Sequence, residues 1–418
     1  MELAALATAA VPGLEPVAAG PSPDDATDFD SALIRGADGR SWRVRSPRGT
    51  EASARLETEV LVLRAFSPAV RAELPFQLPA VAGTVRLDSL TTCVYTHLAG
   101  TVRELGDLAR GGERLVRDIG GALAAIHALP HSLVDGADLP AYSANEFRQR
   151  RLNELDQAAT TGKIPPVLLR RWENALEDVS MWRFNPTVVH GDLHEDNLLV
   201  DDGRVTAVTG WTDLRIGDPA DDLAWLVASN EPEFVDTVVS AYHGTRQEPV
   251  DPHLLRRAAL AAEFALAQYL VKALSLGDRE AAADGEDMLG QLAADIEAQD
   301  AADAAEREAA AREAALRESA LSEAGAREAA LHDAALHETR SADSGPEPAA
   351  PSTPLPPRPQ GQPGSPKAPT AATPIVAPAP REGAQAPAPK AAPTIEEAEP
   401  PTDALPIVGG FPGDSRSS

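Results

Sequence analysis

The chain has 418 residues, of which 43% are hydrophobic, and 64 acidic against 37 basic residues give it a net charge of −27. So acidic a surface repels nucleic acid and anionic lipid, which argues against a protein that binds either. The one cysteine, Cys93, excludes an internal disulfide and predicts a reducing, cytoplasmic location. No apolar run reaches the roughly 18 residues that a membrane span needs, so none is expected.

The apolar residues are distributed unevenly, and this divides the chain. All five tryptophans lie between Trp42 and Trp225, whereas 20 of the 37 prolines follow residue 340. A folded core is therefore expected only before the Pro/Ala-rich part. We predict a disordered N-terminus, a small β lobe, a larger helical lobe, an exposed Ala/Glu/Arg-rich helix and a disordered Pro/Ala-rich tail, at 1–26, 27–96, 97–298, 299–340 and 341–418.

The small lobe is predicted from two hairpins and one helix. Asp38-Gly39 lies between two extended patterns and is a typical hairpin turn. Apolar residues three or four apart indicate a helix after this hairpin. The predicted strands and helix, in chain order, are 29–34, 41–45, 52–66 (the helix), 83–87 and 91–96.

The larger lobe is predicted to be mainly helical, with one interruption. Helical spacing begins after Gly100 and includes a long stretch from Asn145 to Trp182. A short strand at Thr187–Val189 and a hairpin at 197–208 then interrupt the helices. The residues between this strand and the hairpin are the most distinctive in the chain.

These residues read His190-Gly191-Asp192-Leu193-His194-Glu195-Asp196-Asn197. An Asp followed five residues later by an Asn suits phosphoryl transfer to an alcohol, because the carboxylate accepts the hydroxyl proton and the amide oxygen binds Mg²⁺. His190 and His194 are interpreted as side chains that hold this loop. The same order of Asp and Asn occurs in the protein-kinase catalytic loop.

The motif HGDLHxxN, with a hairpin and W-x-D-x-x-x-G-D-P-x-x-D after it, resembles the aminoglycoside phosphotransferase family. The resemblance is nearer still to the macrolide 2′-phosphotransferase branch, whose hairpin and third strand are similar to Asp38–Arg48 here. It implies an α+β, protein-kinase-like two-lobe fold over residues 27–298. It also implies transfer of the γ-phosphoryl group of ATP or GTP, bound with Mg²⁺, to a hydroxyl of a small molecule.

The resemblance assigns roles to individual residues. Asp192, with His190 in the same loop, corresponds to the catalytic base, and a hinge over 95–100 would read the purine. The other expected roles are phosphate contact (Arg45), its carboxylate partner (Glu59), hinge contacts (Tyr95 and Leu98), metal ligand (Asn197) and loop braces (Asp218 and His194).

One position departs from the family pattern. Where the family has the Asp that is its principal Mg²⁺ ligand, this chain has Gly210, which has no side chain to bind a metal. Asp213, three residues later, is the candidate for a substitute carboxylate. Because Mg²⁺ sites depend on one or two carboxylates, the loss is expected to weaken metal binding.

Two hypotheses follow. The first is an active phosphotransferase whose acceptor is a macrolide, an aminoglycoside or a metabolite such as choline or homoserine. The second is a catalytically weak or inactive nucleotide-binding module that engages a protein partner through its C-terminal helix and tail. The tail contains one PxxP-type segment, Pro354–Pro359, of the kind that polyproline-binding domains recognise.

Overall fold

The computed structural model describes residues 2–22, 24, 26–229, 231–246, 249 and 251–342. The predicted tail, with its PxxP-type segment, lies outside the described residues apart from positions 341 and 342. The chain divides into two compact units, with the division between Ala302 and Asp303. The first unit holds all the strands of the described residues and the elements around the candidate site.

The small lobe is a five-stranded antiparallel sheet with one long helix, which confirms the predicted hairpins and helix. The helix α2 spans Thr50–Ala65 and is followed by a short helix, α3, at Pro68–Glu73. Spatial order in the sheet is β1-β2-β3-β5-β4. The strands are β1 (Pro16–Pro21), β2 (Phe29–Gly36), β3 (Ser41–Pro47), β4 (Val81–Leu87) and β5 (Leu90–Thr96).

The prediction that residues 1–26 are disordered is wrong for most of that segment. Helix α1, Glu2–Ala10, is followed by β1, which extends the sheet. The small side chains of α1 allow a close approach to β4, where a Cβ on Gly83 would lie 1.9 Å from the carbonyl oxygen of Ala10. The segment is rich in Ala and Pro, a composition typical of disorder, but its small residues are buried where a glycine faces them.

The large lobe is mainly helical, as predicted. The expected helix from Asn145 to Trp182 is two helices, because Gly162 takes a left-handed conformation (φ +68°) and two prolines follow. Its helices are α4 (Leu105–Ala109), α5 (Glu113–His127), α6 (His131–Asp135), α7 (Ala144–Thr160), α8 (Pro166–Glu177), α9 (Ala224–Val227), α10 (Pro232–Thr245) and α11 (Leu254–Leu276).

Four short strands carry the candidate site within the large lobe. The first of these strands leads into the catalytic-loop motif and pairs with the fourth. The second and third form the predicted hairpin, which lies between the other two in the chain. Three 3₁₀ turns lie between or after these strands, at Glu195–Asn197, Trp211–Asp213 and Asp221–Leu223. The strands are β6 (Thr187–Val189), β7 (Leu198–Asp201), β8 (Arg204–Val208) and β9 (Arg215–Gly217).

Among the described helices, α11 alone has the length and hydropathy that would allow it to cross a membrane. It packs against α7 and α9 within the large lobe and buries the charged side chain of Arg257 there.

The last helix, α12, spans Arg279–Ala342, so the charged helix predicted at 299–340 begins about five and a half turns earlier. Its first part buries Leu289 and Ala293 in the large-lobe core. Beyond Asp303 three of its leucines are exposed, with exposed fractions of 71%, 75% and 72% at Leu316, Leu321 and Leu331. Their five-residue spacing distributes them around the helix, so they form no apolar stripe.

Candidate active site

The catalytic-loop motif is held in place by the buried imidazole of His190. Its Nε2 donates to the carbonyl oxygen of Thr209 (2.8 Å), and its Nδ1 accepts from the backbone N–H of Asp192 (3.4 Å). Burial lowers the pKa of His190, so the ring is neutral and these two bonds fix its tautomer. His190 thus positions the loop and presents neither ring nitrogen to a substrate.

A buried carboxylate, Asp222, braces the same loop from below. Its two oxygens accept the backbone N–H groups of His190 and Gly191, each at 2.8 Å, and Oδ2 also lies 3.1 Å from Nε2 of His127. Burial would raise the pKa of Asp222, but the hydrogen bonds, above all that of His127, outweigh burial and lower it. Asp222 is therefore an ionised group built into the site.

The prediction that Asp218 braces the catalytic loop is wrong, because Asp222 accepts the loop's hydrogen bonds. Asp218 instead forms a buried, bidentate ion pair with Arg257 of α11 (2.7 and 3.0 Å). Both aspartates lie in the Gly217–Asp222 run, and the spacing within the run does not reveal which one faces the loop. His194, the other expected brace, makes a loose side-chain contact among the described residues, with its Nδ1 3.7 Å from Oδ2 of Asp196.

Asp192 is partly buried and lies among charged groups. Burial and the nearby charge of Asp213 raise the pKa of Asp192 to about 8, while Arg55 and Arg215 act in the opposite direction. A carboxyl with this pKa is mainly protonated at neutral pH in the metal-free protein, and once ionised it is a stronger base than an ordinary carboxylate. The structure thus gives the predicted base an environment that favours general-base chemistry.

The raised pKa has a consequence for stability in the protein free of metal and nucleotide. The folded state holds a proton on Asp192 from about pH 4 to pH 8 that the unfolded chain releases, so Asp192 costs stability as pH rises through this window. Asp192→Asn is therefore expected to stabilise the fold, by little at pH 4 and by about 2 kcal/mol at pH 9, after allowance for solvent screening. Thermal unfolding in EDTA at both pH values measures this.

The matched control for that measurement is Asp196→Asn, which removes a charge from the same loop at a side chain that is 63% exposed. Its unfolding temperature should shift equally at both pH values. A gain for Asp192→Asn that did not grow with pH would contradict the raised pKa.

Asn197 is buried, and its side-chain amide lies between the Asp192 backbone and Gly210. Its Nδ2 donates to the carbonyl oxygen of Asp192 (2.6 Å), which leaves Oδ1 without a hydrogen bond to any described residue. No set of three or more His, Cys, Asp or Glu side chains within the described part of the chain is arranged to hold a metal. The donors present, one amide oxygen and the carboxylate of Asp213, fit a Mg²⁺ ion that takes its remaining ligands from nucleotide phosphates and water.

Gly210 adopts a left-handed conformation (φ +78°) directly against Asn197. A Cβ at this position would lie 2.3 Å from Oδ1 of Asn197, so the amide occupies the space that a side chain would need. Restoring an aspartate here therefore cannot simply add a ligand, because Asn197 must move.

We expect Gly210→Ala to destabilise the fold by about 2 kcal/mol and to weaken binding of Mg²⁺ with nucleotide, because it combines left-handed strain with displacement of Asn197. Gly203→Ala is the matched control, since Gly203 has φ +66° but nothing within 4 Å of its Cβ position. Chemical unfolding and nucleotide titration of the two variants separate backbone strain from the contact with Asn197. Equal effects in both variants would contradict a role for that contact.

In the small lobe, Arg45 and Glu59 form the predicted ion pair, with Nη1 3.1 Å from Oε2. Tyr95 is buried and its hydroxyl donates to the same oxygen of Glu59 (2.9 Å). The side chain of Tyr95 thus supports the ion pair, and the expectation that it contacts the nucleotide does not fit this position. Arg45 has a second partner that the sequence did not suggest, Asp24.

The connection after β5 has the features expected of a hinge. Leu98 is partly buried, and its backbone N–H and C=O make no hydrogen bond to other described residues. The next residues are fixed, because Thr101 and Val200 exchange two backbone hydrogen bonds (3.0 and 2.9 Å). Leu98 therefore offers a free donor and acceptor next to an anchored segment.

Arg215 is a site residue that sequence reasoning missed. Its Nη1 donates to the carbonyl oxygen of Asp213 (3.0 Å) and more weakly to that of Gly191 (3.4 Å), while Nη2 pairs with Asp221 (2.6 Å). Arg215 thus links the catalytic loop to the turn that contains Asp213 through these hydrogen bonds. Its place next to the GDP-x-x-D run was the only available signal.

Comparison with known proteins shows the family of the chain. Residues 23–260 match the family described as "Phosphotransferase enzyme family" (APH). A Bacillus subtilis (strain 168) protein, YcbJ, itself uncharacterized, is 26% identical over 207 residues, which are 47% of this chain and 65% of that protein. Viomycin phosphotransferase of Streptomyces vinaceus is 40% identical over 106 residues, or 23% of this chain and 34% of the relative. The chain thus spans less than two thirds of either relative's length.

Solved structures show the same fold. Macrolide 2′-phosphotransferase type I superimposes with a TM-score of 0.58 at 27% identity and covers 69% of this chain and 95% of its own. The GDP complex of aminoglycoside 2′-phosphotransferase-IIIa gives a TM-score of 0.59 at 19% identity, over 70% of this chain and 97% of its own. At 19% identity, the second structure supports a shared fold and nothing further. Both confirm the two-lobe, kinase-like architecture.

Proposed function

The chain belongs to the phosphotransferase enzyme family (APH), and we propose that it transfers the γ-phosphoryl group of ATP or GTP to a hydroxyl of a small molecule of the macrolide or aminoglycoside kind. The observation that supports this proposal is the environment of Asp192. Its carboxyl is partly buried with a raised pKa, and Asn197 and His190 hold its backbone.

In the proposed reaction Asp192 accepts the proton of the acceptor hydroxyl as that oxygen bonds to the γ-phosphorus. The bond from the γ-phosphorus to the β,γ-bridging oxygen breaks, and the nucleoside diphosphate leaves. Asp222 and Arg215 keep the loop in place during this exchange. Mg²⁺, when bound through Asn197 and Asp213, supplies positive charge that offsets the phosphate charge.

The proposed nucleotide site lies where the lobes meet. Arg45, held by Glu59, supplies a guanidinium for the phosphates, and the free backbone groups of Leu98 are placed to hydrogen bond a purine edge. The single buried cysteine supports a cytoplasmic location.

The alternative of an inactive module rests on Gly210 and on the long segment after about residue 300. The intact contacts of Asp192 and Asn197 favour the enzyme.

The test is incubation of the purified protein with γ-labelled ATP or GTP, Mg²⁺ and either a macrolide or an aminoglycoside. Mass spectrometry of the acceptor should show the addition of one phosphoryl group for one of the two acceptor classes. Nucleotide that binds but never transfers its label, to either class or to water, would overturn the proposal.

A further inference from the structure

The loop between β1 and β2 is unusual for the position it occupies. In kinase-type enzymes a glycine-rich loop at this place covers the nucleotide phosphates, because glycine lets the backbone approach them closely. Here residues 21–28 read PSPDDATD, without a glycine. Two of its aspartates, Asp24 and Asp28, make ion pairs with arginines of β3 and α2.

Asp24 is bound to the arginine that would receive the phosphates. Its two oxygens accept from Nε and Nη2 of Arg45 at 2.7 and 3.0 Å, a bidentate arrangement, and Nη2 of Arg43 lies 3.3 Å away. Ser31 also donates to this carboxylate, and only 8% of the Asp24 side chain is exposed. Burial would raise the pKa of Asp24, but Arg45 outweighs it and holds the pKa below its ordinary value, so the group is ionised.

Asp28 makes a second, more exposed ion pair, through a single contact. Its Oδ2 lies 2.9 Å from Nη1 of Arg55, and the two side chains are 37% and 32% exposed. Arg55 lies one turn before Glu59 on α2, so both share a face of that helix. This helix packs against the Trp211–Asp213 turn beside the catalytic loop, and the charge of Arg55 acts on Asp192.

A carboxylate and a phosphate compete for one guanidinium fork, because both present two oxygens in the same geometry. A nucleotide cannot use Arg45 through Nε and Nη2 while Asp24 holds those two nitrogens. Glu59 engages Nη1 alone and leaves the fork free. Asp24 is therefore the partner that a phosphate would have to displace.

We infer that in the nucleotide-free protein Asp24 occupies Arg45, the proposed phosphate contact, and Asp28 occupies Arg55 on the neighbouring helix, and that the phosphates of the nucleotide replace both carboxylates on binding. The loop acts as an internal competitor that lowers nucleotide affinity. This inference rests on the proposed function, since it assumes that a nucleotide binds in this cleft.

The test is titration of ATP, GTP and inorganic tripolyphosphate into the wild type, Asp24→Asn, Asp28→Asn and a matched control. The control is Asp30→Asn, which removes the same charge from the same hairpin at a pair with Arg48 whose side chains are 55% and 52% exposed. Asp24→Asn should tighten binding about tenfold for all three ligands, because a charge-assisted bidentate contact no longer has to be broken. Asp28→Asn should tighten it about threefold, and Asp30→Asn should match the wild type.

Unchanged or weaker binding by Asp24→Asn, with wild-type binding intact, would overturn the inference and would mean that Asp24 only orients Arg45. An equal gain in Asp30→Asn would reduce the effect to net charge and also overturn it. Binding of none of the ligands by the wild type or any folded variant would instead remove the proposed function. If Asp24→Asn does not fold, the comparison of Asp28→Asn with Asp30→Asn decides the question.

Discussion

Asp192→Asn is expected to lower the turnover number for phosphoryl transfer by about 10²–10⁴-fold, the usual contribution of a general base. Asparagine keeps the size of the side chain but cannot accept the hydroxyl proton. The backbone of residue 192 should stay in place, because Asn197 and His190 hold it through main-chain atoms. Nucleotide affinity should therefore stay within about threefold of the wild type.

Steady-state kinetics and nucleotide titration of the same preparations measure both quantities. Asp196→Asn, an exposed change in the same loop, should keep wild-type turnover. The same Asp192 variant is also expected to be the more stable protein at alkaline pH, so it should lose turnover while gaining stability. A loss of turnover that came with a loss of folding or of nucleotide binding would contradict the role of base.

The second large effect is expected at Asp222. Asp222→Ala removes the only described carboxylate that accepts the N–H groups of His190 and Gly191, and it leaves the buried His127 with Tyr242 as its remaining partner. Breaking a buried, hydrogen-bonded charge of this kind costs about 4 kcal/mol, which corresponds to a fall of about 10 °C in the unfolding temperature. Phosphoryl transfer should fall as well, because the loop that carries Asp192 loses its brace.

Urea unfolding and thermal unfolding of Asp222→Ala test this, with Asp201→Ala as control at an exposed carboxylate of the neighbouring hairpin. The control should stay within about 0.5 kcal/mol of the wild type. A loss below about 1 kcal/mol for Asp222→Ala would mean that water or a neighbouring group replaces the carboxylate, and the proposed brace would be wrong.

Much of the fold followed from local patterns. The two predicted hairpins, the helix α2 and the strand that leads into His190 were found in their expected places, because turn pairs and apolar spacing are local signals. The N-terminal helix was missed, since its burial depends on Gly83, a residue more than 70 positions away in the chain.

The site shows the same division between local and long-range information. Their spacing predicted that Asp192 and Asn197 act together, and the structure joins them through a hydrogen bond to the Asp192 carbonyl oxygen; Arg45 and Glu59 form the expected pair. Asp222 rather than Asp218 is the brace because Arg257 of α11 pairs with Asp218. A linear motif carries no information about this contact, since α11 lies far along the chain. The contact of Asp24 with Arg45 likewise joins residues 21 positions apart through a loop with no motif of its own.

The most direct measurement is label transfer from γ-labelled nucleotide as a function of Mg²⁺ concentration, with wild type and Asp192→Asn compared side by side. Transfer by the wild type should rise with Mg²⁺ and saturate, despite the glycine at position 210, and the variant should bind nucleotide without turnover. Nucleotide binding by both proteins, with no label transferred by either at any Mg²⁺ concentration, would contradict a phosphotransferase that uses Asp192 as its base.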